Sequence, residues 1–507
     1  MGDTSARNEP ASLRVHPGSA QRLAGTVGRW LDGSRLLECM RLLEGWTEVL
    51  AELGIEDRTA LLLAERARAN RSCLHAELLV SGRVGEPALF AAVAKALGLR
   101  FLPRVRADRL VVDESRAITA LRGMRRGSIA TLRGPDGTAL FVLAPQSLDL
   151  PAFRAQLRDR PGMAKRLVMT TPSALRGALV TRAGPALARE AALGLFGRSP
   201  DLSARFVTNP WQAFATGLLM AGTPVLLYVA PRATALALSA MLTLLFLGCI
   251  GLRLFAGLQR QPGRPVPDRP DDGSSLPVYS VLVALHREAD VVPDLLAALG
   301  RLDWPRSRLD VKLVCEADDA ETLAALERHS LRAWVEIVRV PPGQPRTKPK
   351  ALNFALPTCT GEFIALYDAE DRPHPQQLRA AWNALAAGGE DLACVQAPLQ
   401  IANAAFGVLP FLFRIEYATQ FRGLLPWLAG HDLMIPLGGT SNHFRRAALE
   451  EVGGWDPHNV TEDADLGVRL ARFGYCNAQV RMALGGGRRE TAGIGGNGWE
   501  RPRIAGT

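Results

Sequence analysis

An α/β domain with a mostly parallel sheet is predicted for residues 278–475, and three observations predict it. Five short apolar runs recur there: "VYSVLVAL", "DVKLVCEADD", "VEIVRVP", "EFIALYDAED" and "LACVQAPLQI". Helical stretches such as "VVPDLLAALGRL" separate them, and strands alternating with helices imply a parallel sheet covered on both faces. Three of the runs also end in carboxylates, at "HREAD", "EADD" and "DAED". Ligands of such sheets bind beyond the carboxyl ends of the strands.

The segments before this domain read in order as follows. Residues 1–28 are polar, without the apolar core of a cleavable signal peptide, and are expected to be a disordered lead-in. Residues 29–205 are predicted to be a small α/β or α+β module with no obvious catalytic chemistry. "ALFAAVAKALGLRF" has helical periodicity, "SIATLRGPDGTALFVLAP" is a strand pair around a Pro-Asp-Gly turn, and "RLVMTTPSALRGAL" is a strand running into a helix.

Two charge-free runs follow within 211–252, Trp211 to Ala230 and Ala233 to Leu252, joined by Pro231 and Arg232. Each is about twenty residues, enough as a helix to cross a hydrocarbon core of about 30 Å. Arg189, Arg198 and Arg205 precede this hairpin and Arg253, Arg260 and Arg264 follow it, so both flanking domains are expected on the cytoplasmic side of a bacterial inner membrane. Residues 259–277, "QRQPGRPVPDRPDDGSSLP", form a polar, proline-rich tether.

Composition narrows the function. The chain has 507 residues, a formal charge of +10 and 48% hydrophobic residues, which excludes a largely disordered protein. Its basic residues are nearly all scattered arginines without aromatic platforms or zinc-finger spacing, so no nucleic-acid partner is expected. The seven cysteines are dispersed with no C-x-x-C pair, which fits reduced thiols rather than a disulfide framework.

Three acidic strand ends on one edge would repel one another unless a cation sat among them. A hard divalent ion, Mg²⁺ or Mn²⁺, suits Asp368, Glu370 and Asp371. Lys348 and Lys350 of "GQPRTKPKALNFAL" are two of about five lysines in the chain and suit phosphate oxygens. In "TEDADLGVRL", Thr461 is an expected helix cap, and Leu466, Leu470 and Phe473 supply an apolar face. Glu462, Asp463 and Asp465 lie in the first turn, where a carboxylate can also serve as a general base.

The ordered series "SVLVALHREAD", "LVCEADD", "RTKPKALNFAL", "YDAEDRP", "LGGTSNHFRR", "GGWD" and "TEDADLGVRL" resembles family 2 glycosyltransferases of the GT-A fold, in the membrane-bound branch that includes cellulose synthase and related β-glucan synthases. The resemblance implies a Rossmann-like GT-A sheet and an inverting transfer of sugar from a nucleotide-sugar, a UDP-sugar by expectation, to a glycan acceptor. It assigns Glu288 and Asp318 or Asp319 to the uridine part of the donor, Lys350 with Asn353 to the neighbourhood of its phosphates, beside the Lys348 already noted, and Asp368 to the metal and diphosphate, with Glu370 or Asp371 as the further ligand. Asp463, beside Glu462, becomes the base, while Gly439, Thr440 and Asn442 line the acceptor or donor-sugar pocket.

"HAELLVSGRVGEPALFAAVAKALGLRF" resembles the N-terminal domain of type II secretion ATPases, which implies a docking or regulatory role with a protein or cyclic di-GMP as partner. The stretch 476–507 is expected to be an irregular tail, frameshifted or truncated, because the family's Q-x-x-R-W segment does not follow. A catalytically impaired remnant or a regulatory membrane protein is therefore the alternative to an active enzyme. A nucleotidyltransferase would share the sheet and the metal but does not explain "TED" after "GGWD".

Overall fold

The computed structural model describes residues 33–124, 128–134, 137–259, 276–399 and 407–479. The expected lead-in 1–28, nearly all of the tether 259–277 and the stretch beyond 479 lie outside the described residues. The chain forms two compact units, Met1–Pro103 with Ser147–Thr171, and Arg104–Gln146 with Pro172–Thr507. Its strands are β1 (Arg100–Leu102), β2 (Ser128–Arg133), β3 (Ala139–Ala144), β4 (Leu167–Thr170), β5 (Tyr279–Leu285), β6 (Leu309–Glu316), β7 (Val335–Val340), β8 (Phe363–Tyr367), β9 (Leu392–Gln396), β10 (Asn442–Arg445) and β11 (Cys476–Gln479).

The first unit is mainly helical. Glu86–Ala96 buries Leu89, Phe90 and Val93, as the periodicity of "ALFAAVAKAL" requires. It leads into β1, which runs parallel to β4. Arg154 bonds both Glu48 and the Ala96 carbonyl, tying the helix Leu150–Asp159 to this core.

In the second unit β2 and β3 form the expected antiparallel hairpin. The helix Pro172–Arg198 runs for 27 residues and accommodates Pro185. Near its start it reaches the seven-stranded sheet, where Arg176 Nε donates to Glu336 Oε1 on β7 at 3.0 Å. Lys312 on β6 is fully buried between Glu336, at 2.5 Å, and Asp310, at 2.9 Å. Burial would raise the Asp310 pKa, but Lys312 and Arg176 overcome it and hold the carboxyl down at about 2.

Two helices follow, Pro210–Val229 and Pro231–Leu258, long and apolar enough to cross a membrane and with their apolar windows unburied. A capping box starts the first, with Asn209 Oδ1 accepting from Gln212 N and Gln212 Oε1 from Asn209 N. Near the end of the second, Arg253 pairs with Glu416 at 2.7 Å, and Trp427 Nε1 donates to Gln259 at 2.8 Å.

The main sheet has seven strands in the order β11-β9-β10-β8-β5-β6-β7. β10 is antiparallel to β8 and β9, and the remaining pairs are parallel. The near-continuous apolar sequences of β5 and β8 are explained by burial on both faces. The five predicted strands all form, at close to their predicted bounds. β10, within "TSNHFRR", and β11, within the stretch read as an irregular tail, were not foreseen as strands. The chain order reverses direction at β5, which pairs with β6 on one side and β8 on the other, so the crevice lies beyond Leu285 and Tyr367.

Candidate active site

Beyond β8 the chain turns through Asp368, Ala369, Glu370 and Asp371. Asp371 is 1% exposed and turned inward. Its Oδ2 accepts from Asp368 N at 2.9 Å and from the Thr440 hydroxyl, which itself accepts from Asp368 N at 3.1 Å. Asp371 Oδ1 is buried without a hydrogen-bond partner. Burial first, then the neighbouring Asp368, pushes the Asp371 carboxyl up to about 7. Asp371 and Thr440 therefore brace the turn, leaving the half-buried Asp368 and Glu370 toward the rim.

Lys348 begins the helix Lys348–Ala355 and its Nζ lies 2.5 Å from Asp368 Oδ1 and 2.9 Å from the Gly439 carbonyl. Burial would lower its pKa, but Asp368 and then Asp463 outweigh this and raise it. Asp463, in the first turn of Glu462–Arg472, closes the other side: a Cβ placed on Gly439 would stand 3.6 Å from Asp463 Oδ2. Asp463 is 6% exposed and its Oδ1 has no hydrogen-bond partner. Burial raises its pKa to about 7 against the pull of Lys348, and Glu462 and Asp368 add to the rise. Glu462 is raised as well, chiefly by burial.

Asp368, Lys348, Gly439, Thr440, Glu462 and Asp463 thus come together. Other sequence-predicted site residues do not join them. Lys350 is 1% exposed, and Glu316, the Gly343 carbonyl at 2.9 Å and the Pro341 carbonyl at 3.5 Å occupy its three N–H donors. Asn353 clasps the backbone of Trp455, donating to its carbonyl at 2.7 Å and accepting from its N–H at 3.0 Å. Asp319 caps the helix Ala320–Glu327 and accepts from Arg287 N at 2.6 Å, so it is structural in this geometry. Glu288 and Asp318 do stand at the ends of β5 and β6, where Asp318 pairs with Arg346. Asn442 Nδ2 donates to the Gly438 carbonyl at 2.6 Å, while Asn442 Oδ1 is buried without a partner.

Thr461 stands at the N-cap position of the acidic helix but does not cap it, because its hydroxyl donates to Asn459 Oδ1 at 3.1 Å. Leu466 and Leu470 are buried as expected, whereas Phe473 is 43% exposed.

Among the described residues, no group of three or more His, Cys, Asp or Glu side chains is arranged to hold a metal ion. The donor chemistry nevertheless fits a hard divalent cation held by Asp368 and Glu370, because such ions accept one or two carboxylates and complete their shell with water and substrate phosphates. The Lys348 ammonium already rests on Asp368, so this carboxylate is placed to hold positive charge.

Sequence reasoning missed Gln396, at the end of β9, whose Nε2 donates to the Gly438 and Thr440 carbonyls at 3.2 and 3.4 Å. It also missed Asp456, fully buried and accepting from Ser203 and Ala204. The alanine and proline after Gln396 gave no signal, and Asp456 was read only as the end of "GGWD".

Residues 277–484 match the family model described as Glycosyltransferase like family 2. The chain is 26% identical over 220 residues to a protein of Bacillus subtilis named "Probable glycosyltransferase YdaM", covering 42% of this chain and 51% of that one. It is 28% identical over 236 residues to "Probable glucomannan 4-beta-mannosyltransferase 6" of Oryza sativa subsp. japonica, covering 43% and 40%. The chain thus spans about half the length, or less, of these curated relatives. Among solved structures, the mannosyltransferase PcManGT from Pyrobaculum calidifontis, in complex with GDP-Man and Mn²⁺, is similar at 22% identity and a TM-score of 0.37, covering 50% of this chain and 67% of that one. S. aureus TarS 1-349 in complex with UDP-GlcNAc is similar at 17% identity and a TM-score of 0.29, covering 40% and 59%.

Proposed function

We propose that this chain is a membrane-anchored, inverting glycosyltransferase that moves a sugar from a nucleoside-diphosphate sugar, a UDP-sugar in the first instance, to a glycan hydroxyl. The observation that carries it is the convergence of Lys348 and Asp368 with the buried, partner-free carboxylate oxygen of Asp463 across Gly439. In this reading Asp463 takes the proton of the acceptor hydroxyl as it attacks the anomeric carbon. A carboxyl whose pKa is pushed to about 7 is matched to that task near neutrality.

Lys348 moves its ammonium charge toward the diphosphate oxygens as the donor enters. Glu288 and Asp318 receive the nucleoside end, while Gly439 and Asn442 border the sugar. Mg²⁺ or Mn²⁺, held by Asp368 and Glu370, would neutralise charge on the departing diphosphate. Asp371 keeps Asp368 in place through the turn, its Oδ2 committed to Asp368 N and the Thr440 hydroxyl.

Anchoring by the helices Pro210–Val229 and Pro231–Leu258 is supported by their length and unburied apolar surface. The neighbouring helix Val408–Thr419 also exposes Val408, Leu409, Phe411 and Leu412. Both flanking domains then face the cytoplasm. The test is nucleoside diphosphate release by membranes carrying the full chain, offered a panel of UDP- and GDP-sugars with Mn²⁺, then with the metal chelated. Release with one donor class that chelation abolishes is the expected result. Absence of release with every donor, or indifference to chelation, would reject the reading.

A further inference from the structure

Six residues before its apolar helix pair, the chain is fastened to the loop that leads into the acidic helix. Ser203 Oγ donates to Asp456 Oδ1 at 3.1 Å, and Ala204 N donates to Asp456 Oδ2 at 2.6 Å. Asp456 is fully buried and Ser203 is 8% exposed, so both bonds form away from water, where an unpaired carboxylate would be costly. Asp456 Oδ1 also accepts from His458 N at 3.1 Å, which fixes the turn after it.

The long helix that ends at Arg198 grips the same loop. His458 Nε2 lies 3.1 Å from the Ala192 carbonyl. Asn353 Nδ2, already on the Trp455 carbonyl, lies 3.4 Å from the Ala191 carbonyl. Gly453, at φ +91°, passes so close that a Cβ there would meet Leu195 Cδ1 at 2.8 Å. Gly454, at φ +70°, would drive a Cβ to 2.5 Å from Asn353 Oδ1. Of these two consecutive left-handed positions, Gly453 fits the loop against the long helix and Gly454 fits it against Asn353.

We infer that residues 191–204, which lie outside the matched transferase segment, are a positioning clamp for the acceptor side of the site, with Asp456 as its centre. Six residues lie between Asp456 and Asp463, and apart from the Thr347 hydroxyl, which donates to the Pro457 carbonyl at 3.1 Å, the intervening turn is held mainly by its own short-range bonds. Asn459 Oδ1 accepts from Thr461, and Val460 is 94% exposed. Leu466, Gly467 and Leu470 seat the body of the helix Glu462–Arg472, with Gly467 against the Ile435 carbonyl, while its first turn, and with it the Asp463 carboxylate, is reached from the Asp456 end. Arg469 supports the same loop from behind, donating to the Val452 carbonyl at 2.8 Å. Because the clamp sits on the chain just before Asn209, a displacement of the apolar helix pair pulls directly on it. The consequence for catalysis rests on the reading of Asp463 as the base; the clamp itself does not.

The test uses the full chain with Ser203→Ala and, separately, Asp456→Asn, and reads amide hydrogen exchange by mass spectrometry. Exchange across 455–466 is expected to rise about tenfold or more while peptides from β5, β6 and β8 keep wild-type rates. In the transfer assay, donor affinity should hold and turnover should fall, with Ser203→Thr restoring both exchange and turnover. Unchanged exchange in 455–466, or a uniform rise through the sheet, overturns the clamp. If Asp456→Asn does not fold, Ser203→Ala, which leaves the Ala204 N–H bond, decides alone. Altered exchange in a chain whose wild type releases no nucleotide supports the clamp and rejects the transferase reading instead.

Discussion

The two carboxylate-bearing edges of the site are built in different ways. The Asp368 turn is internal to the sheet: β8 delivers it, Asp371 and Thr440 brace it, and β10 pairs directly beside it. The Asp463 edge is held from outside, by a helix and a junction some 250 residues earlier in the chain. Each carboxyl that burial pushes to about 7, Asp371 on one edge and Asp463 on the other, has a different fate. Both leave Oδ1 unpartnered, but Asp371 directs Oδ2 into two structural hydrogen bonds whereas Asp463 turns Oδ2 toward Gly439. On the proposed reading, the donor edge is self-contained while the acceptor edge draws on the segment that joins the apolar helices to the domain.

The largest expected effect breaks the donor edge. Asp368→Ala removes the partner of Lys348 and the proposed metal donor together, so divalent-dependent donor affinity, measured by titration calorimetry, should fall by about 10- to 100-fold. Thermal stability should change little, because Asp368 is half-buried; a wild-type affinity would place the donor elsewhere.

Gly454→Ala attacks the other edge. It forces a side chain into left-handed backbone and against Asn353, and should cost about 1–3 kcal/mol in unfolding experiments. Donor affinity should survive that change. An equal loss of both properties would show that the edges are not independent.

The pH response of the sheet sharpens the comparison further. His443 on β10 is fully buried, hydrogen-bonded to Tyr279, and its pKa is pushed down to about 3 by burial. The unfolded chain takes up a proton below pH ~6.5 that the folded chain refuses, so stability is complete above that pH and is lost progressively as pH falls toward 3. From this residue alone the loss by pH 5 is about 2 kcal/mol, and His443→Asn should flatten the pH dependence of the melting temperature. A slope unchanged by the substitution would mean the imidazole is not held neutral.

Least is expected of Arg346→Ala. Its partner Asp318 is an exposed carboxylate, and stability should move by under about 1 kcal/mol.

The turn at the end of β8 was legible in the sequence because its cues are local: an apolar run ending in "DAED" and two lysines in an arginine-rich chain. Even there, spacing could not say which carboxylates turn inward. Asp319 became a cap, Asp371 a brace, and Lys350 and Asn353 were absorbed by backbone groups, because a buried polar group must find partners wherever the fold supplies them. β10 was missed because four residues, "NHFR", carry no period and owe their strand to neighbours on both sides. The Ser203–Asp456 contact joins residues 253 apart, and no local pattern announces such a pairing.

The most direct test of the central claim compares the wild-type chain with Asp463→Asn in the same membranes, reading donor binding and nucleoside diphosphate release side by side. The account predicts donor binding within about twofold of wild type and release slower by about 10²- to 10⁴-fold, the range of a lost general base. Equal release rates from the two chains would contradict it.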